Sequence, residues 1–130
     1  MSIQWDEGYS VGVELFDSHH KRLIDIIVKL IDVYIGESGG KKTKTSINIV
    51  SELAKYSTEH LAAEERAMEK YYYPDLENHR REHDKFREMV KDIASEPDTA
   101  AVSRTLLDWF SNHILITDKK YSSFFKDKEI

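Results

Sequence analysis

The sequence predicts an all-α protein, an antiparallel up-down-up-down four-helix bundle with an ordered N-terminal arm and a short C-terminal helix. Three observations support this fold class. Apolar residues recur at spacings of three and four along four separate stretches, which is the period of an amphipathic helix. The connections between these stretches are short, so consecutive helices should run antiparallel. Only two prolines and five glycines interrupt the 130 residues, and we predict a single domain over 1–130.

The N-terminal arm, predicted over 1–16, shows no helical period. It carries several large apolar residues, including Trp5 and Tyr9. Because a free tail would leave these side chains in water, we expect the arm to lie against the bundle.

The first helix is predicted over about 18–35. Asp17 or Ser18 is a suitable N-cap, since a short polar side chain there can accept a hydrogen bond from a free backbone amide. His20 falls on the apolar face of this helix. His19 is rotated from it by about 100°, and we interpret it as a surface residue.

The second helix is predicted over about 45–70, after a polar, glycine-rich connection at 36–44. His60 and Glu64 lie four residues apart on its inner face. Such a pair is common on exposed helix surfaces, where it has little effect. Its position on the buried face favours a pair of metal ligands here.

The third helix is predicted over about 75–95, with Pro74 just before its first turn. His79 and His83 lie in the middle of its apolar stripe. Residues four apart on a helix project over the same spot, so the two rings should converge. Taken alone, this spacing does not distinguish a metal site from a chance surface pattern.

The fourth helix is predicted over about 98–116. Pro97 interrupts the preceding helix, and Asp98 or Thr99 is a suitable N-cap. The inner stripe of this helix includes His113.

The C-terminal segment, 118–130, begins with Asp118, five residues after His113. Five residues correspond to a rotation of about 140° away from His113 on a regular α-helix. If both side chains bind the same metal pair, the backbone must depart from α geometry after Ile114. It must either widen into a π-type turn or end and restart.

Composition excludes several classes of protein. The chain has no cysteine, which rules out disulfides, thiolate metal sites and cysteine nucleophiles. Its net charge is −5, which disfavours nucleic-acid binding. Aliphatic runs are too short for a membrane segment or a signal peptide, so we expect a cytoplasmic protein. The sequence does not indicate a protein partner, and we expect a monomer.

Five of the six histidines and two carboxylates share the predicted interior. These seven candidate metal ligands are His20, His60, Glu64, His79, His83, His113 and Asp118. Five buried imidazoles without partners would cost about 1–3 kcal/mol each. Their sum equals the stability of a typical domain, about 5–15 kcal/mol, so a metal-free bundle is disfavoured.

Imidazole and carboxylate ligands without sulfur suit iron, manganese or zinc. Seven ligands exceed what one tetrahedral zinc can use. Two octahedral ions that share both carboxylates and an oxide or hydroxide would fill all but one of their coordination positions.

The candidate ligands stand among short motifs that are spread over almost the whole chain. They are Trp5, Val11-Gly12-Val13, Asp17-Ser18-His19-His20-Lys21, His60-x-x-x-Glu64-Glu65, Tyr73-Pro74, His79-x-x-x-His83-x-x-Phe86 and Trp109-x-x-x-His113-Ile114-x-x-x-Asp118-x-x-Tyr121. Together they resemble the bacterial hemerythrins, or bacteriohemerythrins, which are single-domain non-haem di-iron proteins that bind oxygen reversibly. All seven ligand positions hold the residue type that the family has there.

The resemblance implies two iron ions with a bridging oxide or hydroxide. One iron is held by the three histidines His79, His83 and His113. The other iron is held by the two histidines His20 and His60, and oxygen binds there. The carboxylates that bridge the two irons are Glu64 and Asp118.

The sequence departs from the family pattern at three positions. His19 stands where the family often has Gln, Leu61 where Phe is frequent, and Phe110 where Leu is frequent. For His19, interpreted above as a surface residue, the alternative is a residue that supports a metal ligand from outside the centre. The resemblance also implies an oxygen pocket formed by Leu23, Leu61, Trp109, Phe110 and Ile114.

The function that the resemblance implies is reversible oxygen binding for carriage, storage or delivery, and not enzyme activity. One alternative is an oxygen-sensing module, although the chain begins with Met1 and ends soon after the last ligand, so no signalling domain is expected. Another is a di-iron enzyme with oxidase, peroxidase or nitric-oxide-related activity. Ferritin-like di-iron enzymes use four carboxylates and two histidines, which differs from this histidine-rich set.

Overall fold

The computed structural model describes residues 5–37, 43–95 and 100–130. These residues form four long helices and one short helix, and no strand occurs in this part of the chain. The helices are α1 (Glu14–Asp32), α2 (Lys44–Lys70), α3 (Leu76–Ser95), α4 (Ala100–Asn112) and α5 (Ser122–Phe125). Within these ranges, no helix combines the length and the apolar character that crossing a membrane requires.

The four long helices form a closed ring. Helix α1 packs against α2 and α4, and α3 packs against the same two helices. Their apolar faces meet at the centre, where leucine, isoleucine and phenylalanine side chains are buried. This arrangement confirms the predicted four-helix bundle.

The first helix begins at Glu14, so the predicted N-cap at Asp17 or Ser18 is wrong. Both residues lie inside the helix, where the backbone amide of Asp17 already donates to the carbonyl of Val13. The Ser18 hydroxyl donates to the carbonyl of Leu15, 2.7 Å away. Neither polar side chain therefore caps the helix.

Asp17 instead fixes the N-terminal arm. Its carboxylate accepts hydrogen bonds from the Val11 amide at 2.8 Å and from the Ser10 hydroxyl at 2.6 Å. Helical side chains lean towards the N-terminus, which brings this carboxylate to the amides that precede the helix. Trp5 and Tyr9 pack against the core, which confirms that the described part of the arm, from residue 5 onwards, is ordered on the bundle.

Helix α2 begins with a reciprocal cap. The Thr43 hydroxyl accepts from the Ser46 amide at 3.1 Å, and the Ser46 hydroxyl accepts from the Thr43 amide at 2.8 Å. Upstream, α1 continues into a π-helical turn, Val33–Glu37, that periodicity did not predict. The middle of the predicted connection at 36–44 lies outside the described residues.

The turn between α2 and α3 depends on a left-handed residue. Tyr72 has φ +58°, and the Tyr73 amide donates to the carbonyl of Met68 at 2.8 Å. This bond closes the C-terminal turn of α2. Helix α3 then begins at Leu76, two residues after Pro74. The predicted breaker Pro97 and the caps Asp98 or Thr99 lie outside the described residues.

Helix α4 ends at Asn112, earlier than predicted, because the backbone changes geometry there. A π-helical turn, His113–Thr117, and a 3-10 turn, Asp118–Tyr121, lead into α5. Phe125 of α5 is buried and packs against Phe16 of α1, with 6.0 Å between ring centroids. The predicted short C-terminal helix is therefore present and covers one end of the bundle.

Candidate metal centre

All seven predicted ligands lie together inside the bundle. They are buried to at least 95%, and His113 is the most exposed at 5%. Helix α1 supplies one of them, α2 and α3 supply two each, and the segment after α4 supplies the last two. Helix geometry aims each pair at the interior, because residues four apart share a face.

The π-helical turn brings His113 and Asp118 to the same side. The Asp118 amide donates to the carbonyl of His113, five residues back, and also contacts that of Ile114. A turn that closes over five residues returns the chain to the same face, which an α-helical turn would not do. The predicted departure from α geometry after Ile114 is confirmed.

The ligand atoms divide into two groups, each within 4.8 Å. One group holds three histidines and both carboxylates. The other holds two histidines and the same two carboxylates. The larger group consists of His79, His83, His113, Glu64 and Asp118, and the smaller group consists of His20, His60, Glu64 and Asp118.

Glu64 divides its two oxygens between these groups. Its Oε2 lies 3.1 Å from Nε2 of His20 and 3.2 Å from Nε2 of His60. Its Oε1 lies 3.2 Å from Nε2 of His79 and 3.0 Å from Nε2 of His83. One carboxylate therefore offers one oxygen to each group.

Asp118 divides its oxygens in the same way. Its Oδ2 lies 3.1 Å from Nε2 of His20, and its Oδ1 lies 3.0 Å from Nε2 of both His79 and His113. Two carboxylates with this division span two points, as two bridging ligands between a pair of metal ions would.

The unsatisfied atoms of the centre fit metal ions. Neither oxygen of Asp118 has a hydrogen-bond partner among the described residues, and neither does Nε2 of His113, although Oδ1 of Asp118 lies 3.0 Å from that nitrogen. Buried polar atoms without partners are rare and costly. Adjacent ligands of an octahedral ion with bonds of about 2.1 Å are separated by about 3.0 Å. The donors therefore point at shared positions rather than at one another.

The two carboxylates of the centre are ionised, and their negative charge favours bound cations. Burial alone would lower the pKa of His20 and His79, but the two carboxylates outweigh it and raise these pKa values to about 9 and about 10. Burial dominates at His60 and lowers its pKa to about 4. The imidazoles hold the pKa of Glu64 well below its usual value despite burial, and that of Asp118 is also lowered. Both carboxylates are therefore ionised in the interior.

Glu65 orients one ligand from outside the centre. Its Oε2 lies 2.7 Å from Nδ1 of His83 and accepts from Nη2 of Arg87 at 2.8 Å. Burial would raise the pKa of Glu65, but these two partners lower it, so the acceptor is charged. Carboxylate acceptors of this kind fix the ring orientation of ligating histidines.

Tyr121 contacts the centre through its hydroxyl, which donates to Oε2 of Glu64 at 2.7 Å. Burial raises the pKa of Tyr121 well above its usual value, so the hydroxyl keeps its proton and remains a donor. Sequence reasoning gave no role to Tyr121 or Glu65. Both stand in the recognised motifs, which is the only signal that could have indicated them.

Comparison with known proteins agrees with this geometry. Residues 11–124 match the family described as Hemerythrin HHE cation binding domain. The chain belongs to the hemerythrin family. The predicted resemblance is confirmed.

Relatives within the hemerythrin family match most of the chain. A bacteriohemerythrin from Stenotrophomonas maltophilia is 26% identical over 125 residues, covering 92% of this chain and 79% of that protein. A myohemerythrin from Theromyzon tessulatum is 30% identical over 118 residues, covering 91% of this chain and 89% of that protein. The crystal structure of a wild-type hemerythrin has a TM-score of 0.81 at 26% identity, covering 93% of this chain and 95% of that chain.

His19 is not the surface residue that the sequence predicts. It is half-buried, and its Nδ1 lies 3.0 Å from Nδ1 of His60. Burial and the neighbouring His20 lower its pKa. A rotation of about 100° from His20 takes the side chain off the bundle axis but leaves it between α1 and α2. The periodicity of apolar residues identifies the face of a helix that points to the bundle centre, but it gives no information about contacts between the flanks of neighbouring helices.

The residues predicted to form the oxygen pocket do not all lie on the same side of the metal centre. Phe110 is fully buried and meets the His20 ring edge-on, with 5.8 Å between centroids. Trp109 is half-buried and stacks on His113, with 4.9 Å between centroids and 13° between planes. The remaining three are also buried: Leu23, Leu61 and Ile114. Phe110 thus lies on the two-histidine side and Trp109 on the three-histidine side.

Proposed function

We propose that this chain binds molecular oxygen reversibly at a di-iron centre, for carriage, storage or delivery. The observation that carries the proposal is the division of both carboxylates between a two-histidine group and a three-histidine group. Membership of the hemerythrin family supports oxygen binding at such a site.

The seven buried ligands would hold the two irons. The three-histidine group offers donors from five residues and the two-histidine group from four. If an oxide or hydroxide also bridged two octahedral ions, these residues would fill every position of the first ion and leave one position of the second open. When bound, the iron pair supplies the electrons that reversible oxygen binding requires. We therefore propose the two-histidine side as the oxygen site.

The chain's own residues protect and orient this site. Phe110 lies against the His20 ring and would exclude water from the open side. Tyr121 holds one oxygen of Glu64 by a hydrogen bond, and Glu65 holds the ring of His83. Each of these contacts limits the movement of a ligand, which favours a centre that is restored after each binding event.

The donor set favours a carrier over a di-iron enzyme. Five neutral imidazoles and two carboxylates leave the centre less anionic than the four-carboxylate, two-histidine set of ferritin-like proteins. A less anionic ligand set stabilises high oxidation states less, which opposes irreversible oxidation chemistry. We propose that the chain is not an enzyme.

The proposal also covers partners and location. The ligand is molecular oxygen, and a net charge of −5 opposes binding to a phosphate backbone. Cytoplasmic residence and a monomeric state stay predictions from the sequence.

Iron analysis and optical spectra together test the function. We expect two irons per chain, and absorption bands that appear when the reduced protein meets oxygen and disappear under argon. A single metal per chain, or bands that bleach irreversibly or accompany peroxide turnover, would contradict the proposal. Protein in which Glu64 is replaced by alanine serves as the control that lacks the bridge.

A further inference from the structure

The His60 ring has contacts at both of its nitrogens. Its Nε2 faces the metal centre, 3.2 Å from Oε2 of Glu64, and its Nδ1 faces His19 at 3.0 Å. The His19 and His60 rings are nearly perpendicular, at 85°, with 5.1 Å between centroids. His60 is buried and His19 half-buried, so the contact is largely shielded from water.

Only one proton fits between the two Nδ1 atoms. A histidine that binds a metal through Nε2 must leave that nitrogen unprotonated, so the proton of the neutral His60 ring lies on Nδ1. Nδ1 of His60 is therefore the donor, and Nδ1 of His19 must be the acceptor. His19 then carries its own proton on Nε2.

The corresponding contact on the three-histidine side differs in charge. Nδ1 of His83 faces the carboxylate of Glu65 at 2.7 Å, and Arg87 holds that carboxylate. A charged acceptor draws the ring proton more strongly than a neutral one and makes the opposite nitrogen a better ligand. The chain thus supports its two histidine groups with acceptors of unequal strength.

We propose that His19 is a positioning residue of the metal centre. It fixes the tautomer and the ring orientation of His60, and as a neutral acceptor it leaves the two-histidine ion the more weakly held of the two. The inference rests on the proposed metal function and adds a residue at the position where the family often has Gln.

The release of iron to a chelator tests this assignment in the full-length protein, loaded with ferrous iron under argon. We expect two phases in the wild type, with one ion per chain in each. His19→Leu removes the acceptor and should speed the fast phase by about 10–100-fold without changing the slow phase. His19→Gln keeps a neutral acceptor and should resemble the wild type, whereas His19→Glu supplies a charged acceptor and should slow the fast phase.

Two further variants serve as controls. Glu65→Gln removes the charged acceptor of His83 and should speed the slow phase instead. Lys21→Leu changes an exposed residue on the same helix as His19 and should change neither phase. An unchanged fast phase in His19→Leu would overturn the inference. Failure of the wild type to hold two ions would instead overturn the proposed function.

Nuclear magnetic resonance on zinc-loaded, ¹⁵N-histidine-labelled protein gives a second readout that does not depend on release rates. We expect a proton on Nδ1 of His60, an unprotonated Nδ1 of His19, and a coupling between these nitrogens across the hydrogen bond. In His19→Leu the coupling should vanish and the Nδ1 proton signal of His60 should shift. A proton on Nδ1 of His19 in the wild type would overturn the inference.

Discussion

Glu64 is the residue on which the metal centre depends most, because its two oxygens face different groups of histidines. Its carboxylate is fully buried and ionised, held by imidazoles on both sides and by the hydroxyl of Tyr121. A buried charge of this kind is stable only while its partners remain.

Replacing Glu64 by alanine should reduce the metal content from two ions to at most one per chain. The change removes a donor from each group at once, so both sites lose a ligand. Elemental analysis of protein purified under identical conditions measures the result. Glu59→Ala, an exposed position on the same helix, is the matched control. Two ions in Glu64→Ala would contradict the bridging role.

Phe110 is the residue that we expect to govern autoxidation. Replacing it by alanine should speed conversion of the oxygenated form to the ferric form, because water and protons gain access to the two-histidine side. The same change should cost about 3–5 kcal/mol of unfolding free energy. Phe86→Ala is a suitable control, since Phe86 is equally buried and stacks on Phe110 at 5.0 Å.

The two variants separate a pocket effect from a stability effect. Both should lower the melting temperature by similar amounts, whereas only Phe110→Ala should strongly change the rate at which the oxygen-dependent bands decay. Equal rates in Phe110→Ala and the wild type would place the oxygen site elsewhere.

At the scale of single elements, the π-helical turn His113–Thr117 is the feature that connects backbone geometry to the site. It adds one residue to a helical turn, so that residues five apart share a face. Such turns weaken the hydrogen-bond ladder of a helix. In return, this π-helical turn brings the Asp118 carboxylate close to Nε2 of His113, so that both side chains face the candidate metal centre.

Removing or adding one residue in this turn should have opposite effects. Deletion of the half-exposed Leu115 reduces the spacing between His113 and Asp118 from five to four, which an α-helical turn accommodates. We expect this variant to retain two metal ions. Insertion of an alanine after Ile114 makes the spacing six, which no regular helical turn brings to one face, and should lose one ion.

Metal analysis and far-ultraviolet circular dichroism measure both variants side by side. Similar helix content with different metal content would support the conclusion that the spacing between His113 and Asp118 decides whether both side chains reach the metal centre. Retention of both ions after the insertion would show that Asp118 is not held by the turn.

At the scale of the whole molecule, the metal centre makes the stability of the fold depend on bound metal and on pH. The seven buried ligands come from every part of the bundle, so removing the metals leaves charged groups and unpaired polar atoms at its middle. Metal that binds the folded chain and not the unfolded one stabilises it by mass action.

The metal-loaded protein should melt at a higher temperature than the metal-free protein, and the difference should widen from about pH 6.5 to about pH 9. Without metal, the raised pKa values of His20 and His79 mean that protons stabilise the fold fully below about pH 6.5. This contribution is lost as the pH rises towards about 9 and about 10. In the metal-loaded protein the ligating rings hold no such proton, so the loss is absent.

Differential scanning calorimetry of the two forms across this pH range measures the effect. Acid below the range should act like a chelator, because the released imidazoles take up protons. Equal melting temperatures of the two forms at alkaline pH would refute the link between metal and stability.

The sequence by itself determined the four helices, the inward position of the seven candidate ligands and the need for a departure from α geometry before Asp118. Each of these follows from rotation along one helix, which is a local property that the spacing of residues fixes. The pairs His60 with Glu64 and His79 with His83 face inwards for this reason. The five-residue spacing before Asp118 required a departure from α geometry for the same reason.

Only the tertiary structure decided how these elements meet. The start of α1 at Glu14 depends on an arm whose amides reach the Asp17 carboxylate. The contact between His19 and His60 depends on how closely α1 lies beside α2. The division of the Glu64 oxygens depends on the packing of α1, α2 and α3 together. These contacts join residues that are distant in sequence, so their geometry is set by packing and has no periodic signal along the chain.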